Sequence, residues 1–457
     1  MENLASRFLE LAFFGNSPAW TYGLLGIVPE EKLLPAVQKI LFRITLKHAY
    51  QNSRFYKKLF DQYGVDVRKI KRPQDLGNIF TEGDDLRKNP AEDFICEKPI
   101  TAYQTTGTTS PIPKRVFFSA SEVRKYGKVS ATGLWKMGIR PEDKVASAFD
   151  YSFWISGPTL KASLEWMRAF HVEAGKIDPK EFYDQIKPYL CNILVGDPSW
   201  LLRLSEVAEK RGSWPVKMII AGGENMTEKT RKYIEGVWET DVLLSYGQTE
   251  GFGNLGVECK QKDGYHVNDF MFHFEIINQD AEGYGEIVYT TFNRSCMPLI
   301  RYRSGDVARF VKEHCSCGLG TTKISKLRGR VDEMVACGMG NISPWMFDQI
   351  FKQLHIQSES WQMAVIRPGN KDVVEFRLEL NNVKEECGRV EKAILGILEQ
   401  DFPDYWKSYL MGLFEIQFRF FEPGKLRTGR KLRRLVDERT ELIRSNGNGE
   451  QIPALNS

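Results

Sequence analysis

At 457 residues the chain is too long for one ordinary core, so two or three domains are expected. Its 63 basic and 59 acidic residues leave a formal charge of +4, which makes no case for nucleic-acid binding, and 42% hydrophobic content is that of a globular protein in water. No apolar run approaches the roughly 20 residues of a membrane helix. The opening stretch carries Glu2 and Glu10 and no basic segment ahead of its apolar part, which argues for an amphipathic helix and against a secretory signal. The cysteines are scattered apart from Cys315 and Cys317, a pattern of free thiols in a reducing cytoplasm with room for one metal site.

In chain order, residues 1–75 read as helical, with Leu34, Val37, Ile40, Leu41 and Ile44 at helical spacing, until Pro73 and Gly77 punctuate the chain. From 115 to 240, apolar runs (KVASAF, NILVG, VKMIIAGG) alternate with helical stretches, 156–166 and LLRLSEVAEK among them; that alternation predicts an α/β sheet covered on both faces. From 264 to 312, FHFEII, GEIVYTTF and ARFVKE predict a β-rich antiparallel unit. A boundary follows near 329–332. Beyond it, 344–445 reads helix, strand, strand, helix, strand, helix, a small α+β domain. The expected division is thus 1–331, 332–445 and a polar tail at 446–457 without fixed structure.

Five short motifs carry chemistry. Tyr103 to Ser110 (YQTTGTTS), with Lys114 behind it, is rich in hydroxyl and backbone donors that suit triphosphate oxygens; a polar surface loop would look the same. SYGQTE follows an apolar strand, so Tyr246 and Glu250 fall just past a strand end, where open α/β sheets bind ligands; a tyrosine can stack on a base and a glutamate can hold Mg²⁺ beside phosphates. In RYRSGD, Asp306 can accept ribose hydroxyls or simply close a hairpin. GRVD lies at the domain boundary. GKLRTGRK brings cations to a Thr-Gly turn, where a lysine could neutralise charge developing at a carboxylate and α-phosphate. Cys259, His266, Cys315 and Cys317 offer the four sulfur and nitrogen ligands of tetrahedral structural zinc, or else are reduced thiols beside a surface histidine.

TTGTTS with its lysine, then AGGE, SYGQTE, RYRSGD, GRVD and TGRK, in that order, resemble the adenylate-forming superfamily of acyl-CoA synthetases, peptide-synthetase adenylation domains and luciferases. Within it, GVECKQKDGYHVNDF, GEIVYTTFNRSCMPLIRYRSGD and KLRGRVDEM resemble phenylacetate–coenzyme A ligases. The resemblance implies a large N-terminal α/β domain with a β-rich subdomain and a small mobile α+β C-terminal domain. It implies that Thr105, Thr106, Gly107, Thr108 and Thr109 grip the ATP phosphates, and that Gly222, Gly223 and Glu224 flank adenine and the acyl pocket. Tyr246 takes the place of the adenine-stacking aromatic, Thr249 of a phosphate ligand, Glu250 of the Mg²⁺ ligand and Asp306 of the ribose aspartate; Arg330 joins the ATP site and Asp332 is the hinge. Lys431 matches the catalytic lysine when the chain is aligned on Arg434–Asp437, and Arg430 matches it when aligned on the Thr-Gly turn.

Phe149, Asp150, Tyr151, Phe153, Trp154 and Gly157 occupy the place of the acyl pocket, whose aromatics suit an aromatic or arylalkyl acid. Asp150 stands in an FDYS run similar to the FDxS of peptide-synthetase adenylation domains, so it either pairs with a substrate amine or binds backbone. The expected reaction is ATP-dependent acyl-adenylate formation, then acyl transfer to coenzyme A. Transfer of an acyl or aminoacyl group to an amine or a separate carrier-protein thiol is the alternative within enzymes, and a degenerate nucleotide-binding regulatory protein the alternative outside them. A cytoplasmic setting and possible homodimer complete the expectations; no nucleic-acid or membrane partner is expected.

Overall fold

The computed structural model describes residues 30–105, 113–224, 226, 228–331, 335–338, 340–342, 344–354, 361–423, 425–426 and 434–439. Thr106, Gly107, Thr108, Thr109, Asp332, Arg430 and Lys431 lie outside the described residues.

Helix α1 (Glu30–Asn52) buries Leu34, Val37 and Leu41 of the expected stripe together with Phe42, Leu46 and Ala49, while Ile40 and Ile44 are half-buried at its margin. Helix α2 (Arg54–Gln62) starts at Ser53, whose hydroxyl accepts from Tyr56 N. The expected helical run to residue 75 stops here: Gly64 adopts φ +62° and Val65 N returns to Phe60 O at 2.9 Å, closing the helix C-terminus.

A hairpin of β1 (Thr101–Gln104) and β2 (Arg115–Phe118) flanks the threonine-rich segment. Helix α3 (Ala120–Met137) then leads into a nine-stranded sheet. Its parallel half runs β4-β3-β5-β6-β7, with β3 at Lys144–Ser147, β4 at Phe170–Glu173, β5 at Ile193–Gly196, β6 at Met218–Gly222 and β7 at Val242–Gln248. Strands β5 and β6 are buried along their whole length, as continuous apolar runs in a sheet covered on both faces must be. Helices α4 (Ser156–Met167), α5 (Pro179–Ile186), α6 (Pro198–Arg211) and α7 (Glu228–Trp238) belong to this part of the chain. Beyond β7 the sheet turns antiparallel through β8 (Gly253–Glu258) and β9 (Tyr265–Val267).

The antiparallel unit is β10 (Phe272–Ile277), β11 (Gly285–Thr291) and β12 (Tyr302–Ala308), edged by β15 (Gly329–Arg330). ARFVKE corrects the expectation. Strand β12 ends at Ala308, and Phe310–Val311 (β13) pairs instead with Lys323–Ile324 (β14) on β9, in the large sheet. The chain crosses between sheets here because Ser325 N takes Arg309 O at 2.9 Å, leaving the next residues to extend β14.

A second core gathers Cys337, Phe347, Trp361, Phe376, Ile394 and Leu435. It is built from the hairpin β16–β17 (Val335–Cys337, Gly340–Ile342), helices α8 (Pro344–Gln353), α9 (Val383–Asp401) and α10 (Pro403–Leu410), and strands β18 (Trp361–Ile366), β19 (Asp372–Glu379), β20 (Phe414–Phe421) and β21 (Leu435–Asp437). Where a final helix was expected, Leu435–Asp437 is a strand, parallel to β18. An open edge on β18 offers ladder partners, and Leu435 is buried against the second core. The two cores meet along α6: Ser199 Oγ donates to Gly338 O at 3.0 Å, and Met411 and Leu413 pack into the first core. No helix among the described residues is long and apolar enough to cross a membrane.

Candidate active site and a cysteine–histidine cluster

Strand β7 ends in SYGQ and passes into a short turn, Thr249–Gly251, that carries Thr249 and Glu250 out of the sheet. The turn is possible because Gly247 faces Gly253 O across the β7–β8 pair so closely that a Cβ would collide with it. Glu250, 3% exposed, pairs with the Lys114 ammonium and accepts from Tyr302 Oη at 2.9 Å; Lys114 also donates to that hydroxyl at 3.1 Å. Burial pushes the Glu250 carboxyl up, but Lys114 and then Tyr302 outweigh it and hold it below the usual carboxylate range. Burial and the neighbouring Glu250 keep Tyr302 a neutral phenol. Arg294 donates to Glu250 O, fixing the turn from below.

Asp306 collects the second set of contacts. Its Oδ2 accepts from Tyr246 Oη at 2.8 Å and Gln248 Nε2 at 2.6 Å, and its Oδ1 from Arg330 at 2.6 Å. Gln248 is held by Tyr289 Oη at 3.1 Å, and Arg330 also reaches Ser304 O at 3.1 Å. Tyr246 is 5% exposed, its ring 5.7 Å from that of Tyr265.

Thr105 N donates to Lys114 O at 3.0 Å, so the start of the threonine-rich segment is tied to the lysine on Glu250, and Thr105 Oγ1 is buried without a partner among the described residues. Lys114, which the sequence placed behind that segment, sets its ammonium on Glu250.

At the end of β6, Gly223 adopts φ +88°, and a Cβ there would approach Asp197 Oδ1 to 2.8 Å. Glu224 accepts from Ser199 N at 3.1 Å and lies 3.0 Å from Ser199 Oγ, and burial, with Asp197 adding, raises its carboxyl well above the ordinary range. Since Ser199 also holds Gly338 O, the β16–β17 hairpin abuts this strand end.

The aromatic stretch divides. The Phe149 ring and Ser245 both lie within 3.7 Å of where a Gly222 Cβ would be, so these residues share one wall. A Cβ on Gly157 would run into Asp150 O, which keeps the loop tight. Tyr151 turns its hydroxyl toward Ser147 and His171 (3.2 Å to Nε2), and Trp154 is partly buried. Phe153 departs from the expectation of a pocket residue, being 63% exposed. Asp150 Oδ1 accepts from Ser152 N at 2.6 Å and Oγ at 2.5 Å, contacts within its own loop.

Gln248, Tyr289, Tyr302 and Arg294 were not singled out from the sequence. Gln248 and Tyr302 stand inside SYGQTE and RYRSGD; Tyr289, on β11, and Arg294, in the loop after it, stand inside GEIVYTTFNRSCMPLIRYRSGD but in no short motif of their own.

The ligand atoms of Cys259, His266, Cys315 and Cys317 all lie within 4.8 Å of one another. Cys259 Sγ is 3.5 Å from Cys315 Sγ, and Cys317 Sγ is 3.3 Å from His266 Nε2. Tetrahedral zinc with ordinary bonds needs ligand separations of about 3.3–3.8 Å, so the donor set fits. His266 Nδ1 faces Thr321 Oγ1 at 3.1 Å, the outer partner that orients a ligating imidazole.

No family model matches the chain. It is 28% identical to a phenylacetate–coenzyme A ligase of Thermus thermophilus over 378 residues, covering 78% of this chain and 83% of that one. It is 26% identical to ligases of the same name from Pseudomonas putida (79% and 86% covered) and Escherichia coli (76% and 82% covered). Among solved structures, a 2-hydroxyisobutyryl-CoA ligase in its thioesterification state superposes with a TM-score of 0.73 at 20% identity over 90% of both chains. An amide bond synthetase of Marinactinospora thermotolerans gives 0.51 at 13% identity, covering 70% of this chain and 65% of that one.

Proposed function

We propose that this chain, which has the fold of the adenylate-forming superfamily and is similar in sequence to phenylacetate–coenzyme A ligases, activates a carboxylic acid with ATP and passes the acyl group to the thiol of coenzyme A. The observation that carries the reading is the joining of two motif groups, one past the end of β7 and one on β12: Glu250 with Lys114 and Tyr302, and Asp306 with Tyr246, Gln248 and Arg330. An ionised carboxylate beside the threonine-rich segment suits a phosphate chain with its cation, and a buried carboxylate such as Asp306 is the kind of acceptor that suits ribose hydroxyls.

In the first half-reaction the substrate carboxylate attacks the α-phosphate and pyrophosphate leaves; in the second the thiol attacks the acyl carbon and AMP leaves. Glu250, with Thr249 beside it, would hold Mg²⁺, which when bound offsets phosphate charge. Lys114 keeps Glu250 ionised and, once a cation shares that carboxylate, is free to turn toward phosphate oxygens. The relatives' name and the Phe149 wall support an aromatic or arylalkyl acid. Cys259, His266, Cys315 and Cys317 are assigned to structural zinc, since protein ligands fill all four positions.

Acid-dependent exchange of pyrophosphate into ATP tests the first step, and AMP release with and without coenzyme A tests the second. Exchange with acids of both kinds but no stimulation by coenzyme A would move the acceptor to an amine or a carrier thiol. ATP binding with no exchange for any acid would leave only a nucleotide-binding regulator.

A further inference from the structure

After Ala148, whose N–H still reaches Val195 O on β5 at 2.9 Å, the chain runs to Ser156 without helix or strand. Regular pairing does not fix this loop, yet it touches three parts of the candidate site. Phe149 stands on the wall with Gly222 and Ser245. Phe153, whose ring faces solvent, accepts from Gln104 N at 3.2 Å, just ahead of Thr105. At the far end Ile155 lies 3.7 Å from the Cβ position of Gly253, and Thr159 Oγ1 is 3.1 Å from Phe252 O, in the residues that follow Glu250.

Tyr151 anchors the loop to the sheet. Its ring lies against Gly157, with Cδ1 2.8 Å from where a Cβ would be. Its hydroxyl contacts Ser147 Oγ and lies 3.2 Å from His171 Nε2, and Ser147 Oγ is itself 3.0 Å from that nitrogen. Ser147 is buried at the end of β3, and His171 stands on β4, at the edge of the large sheet. Burial lowers His171 to about 4, so its imidazole is neutral near pH 7. With Nε2 as acceptor, Ser147 donates to it and Tyr151 donates to Ser147, so that each hydroxyl proton is used once. The packing on Gly157 needs only the ring. What the hydroxyl adds is a fixed position for the loop, because it has one place where its proton is accepted.

We propose that Ser147 and His171 are positioning residues for the acid: through the Tyr151 hydroxyl they set the loop, and with it the place of Phe149 relative to Gly222. Both stand on strands of the sheet and act through Tyr151 rather than on the substrate. The inference rests on the adenylating function proposed above and on Phe149 walling the acid. It concerns the acid before ATP, since Phe149 is two residues from Tyr151, whereas Glu250 and Asp306 keep partners of their own.

The test is pyrophosphate exchange, with KM measured separately for ATP and for the acid that wild type uses best. Tyr151→Phe and His171→Leu should each raise KM for the acid about ten-fold and leave KM for ATP within about two-fold of wild type. His171→Gln, whose amide oxygen can stand in for the accepting nitrogen, should restore KM for the acid to within about three-fold of wild type. An acid KM within about two-fold of wild type in both Tyr151→Phe and His171→Leu overturns the proposal and leaves the adenylating function standing. So does an equal rise in KM for both substrates, which is general damage to the site, or a His171→Gln as impaired as His171→Leu. Tyr151→Phe removes only the hydroxyl, so it decides even if His171→Leu fails to fold. Absence of exchange for every acid in the wild type overturns the function itself, and the proposal with it.

Discussion

Glu250 remains ionised in a buried site because Lys114 lies against it, and the Tyr302 hydroxyl completes the set. Removing its charge should cost the exchange reaction about 10²–10³-fold, the size of losing one preorganised electrostatic partner; Glu250→Gln assayed at saturating acid checks this. The same residue sets a stability signature. Its native pKa is depressed, so its contribution is present above the ordinary glutamate value of about 4.3 and is lost as pH falls through the lower native value. The gap between the urea midpoints of wild type and Glu250→Gln should therefore be widest near neutrality and close in acid. At this scale the sequence was legible for Glu250 and Asp306, which stand in motifs, and not for the partners that govern them. That Lys114 lies on Glu250 shows only in the fold, and Gln248 reads as a spacer until it reaches Asp306.

Among elements, the join between α7 and β8 is a buried ion pair. Arg231 and Glu258, each 1% exposed, make two hydrogen bonds of 2.9 and 3.0 Å, and Glu258 also takes Leu244 N at 2.8 Å. Arg231→Met leaves an unpaired buried carboxylate and should destabilise by about 3–5 kcal/mol, read from urea unfolding; adding Glu258→Leu should recover part of the loss. The cysteine–histidine cluster pins the end of β8 and β9 to the 315–317 turn. If it holds zinc, metal analysis of the purified protein gives about one zinc per chain, and the double substitution Cys315→Ser, Cys317→Ser removes it and lowers Tm. A zinc-free wild type with the same Tm as that variant would refute the assignment. Cys259 and His266 on one side and Cys315 and Cys317 on the other were legible as ligand types. Their convergence required β14 to pair with β9, which brings the 315–317 turn over His266.

For the whole molecule, one of the contacts between the two cores is the Ser199 side chain. Ser199 donates to Gly338 O while its Oγ and N serve Glu224, which lies near Asp197 and its Lys176 partner. Glu224 has a raised native pKa, so the folded protein holds that proton more tightly than the unfolded chain. Stability from this group is complete below about pH 4.3 and drains away as pH rises toward the native value. Glu224→Gln should accordingly raise the urea midpoint relative to wild type at pH 8 and leave it unchanged at pH 4. A gain at both pH values would show that packing, not protonation, dominates at this strand end.

Local sequence was enough to determine the alternating strands and helices of the large sheet, the antiparallel character of β10 to β12 and the motif residues at strand ends. Hydrophobic period and turn chemistry act over a few residues and leave their mark in a single chain. Tertiary structure alone decided that ARFVKE crosses to another sheet, that Leu435–Asp437 joins β18 as a strand and that Phe153 faces solvent. Each of those outcomes depends on which distant edge, donor or void is available, and residues far apart in the chain supply it.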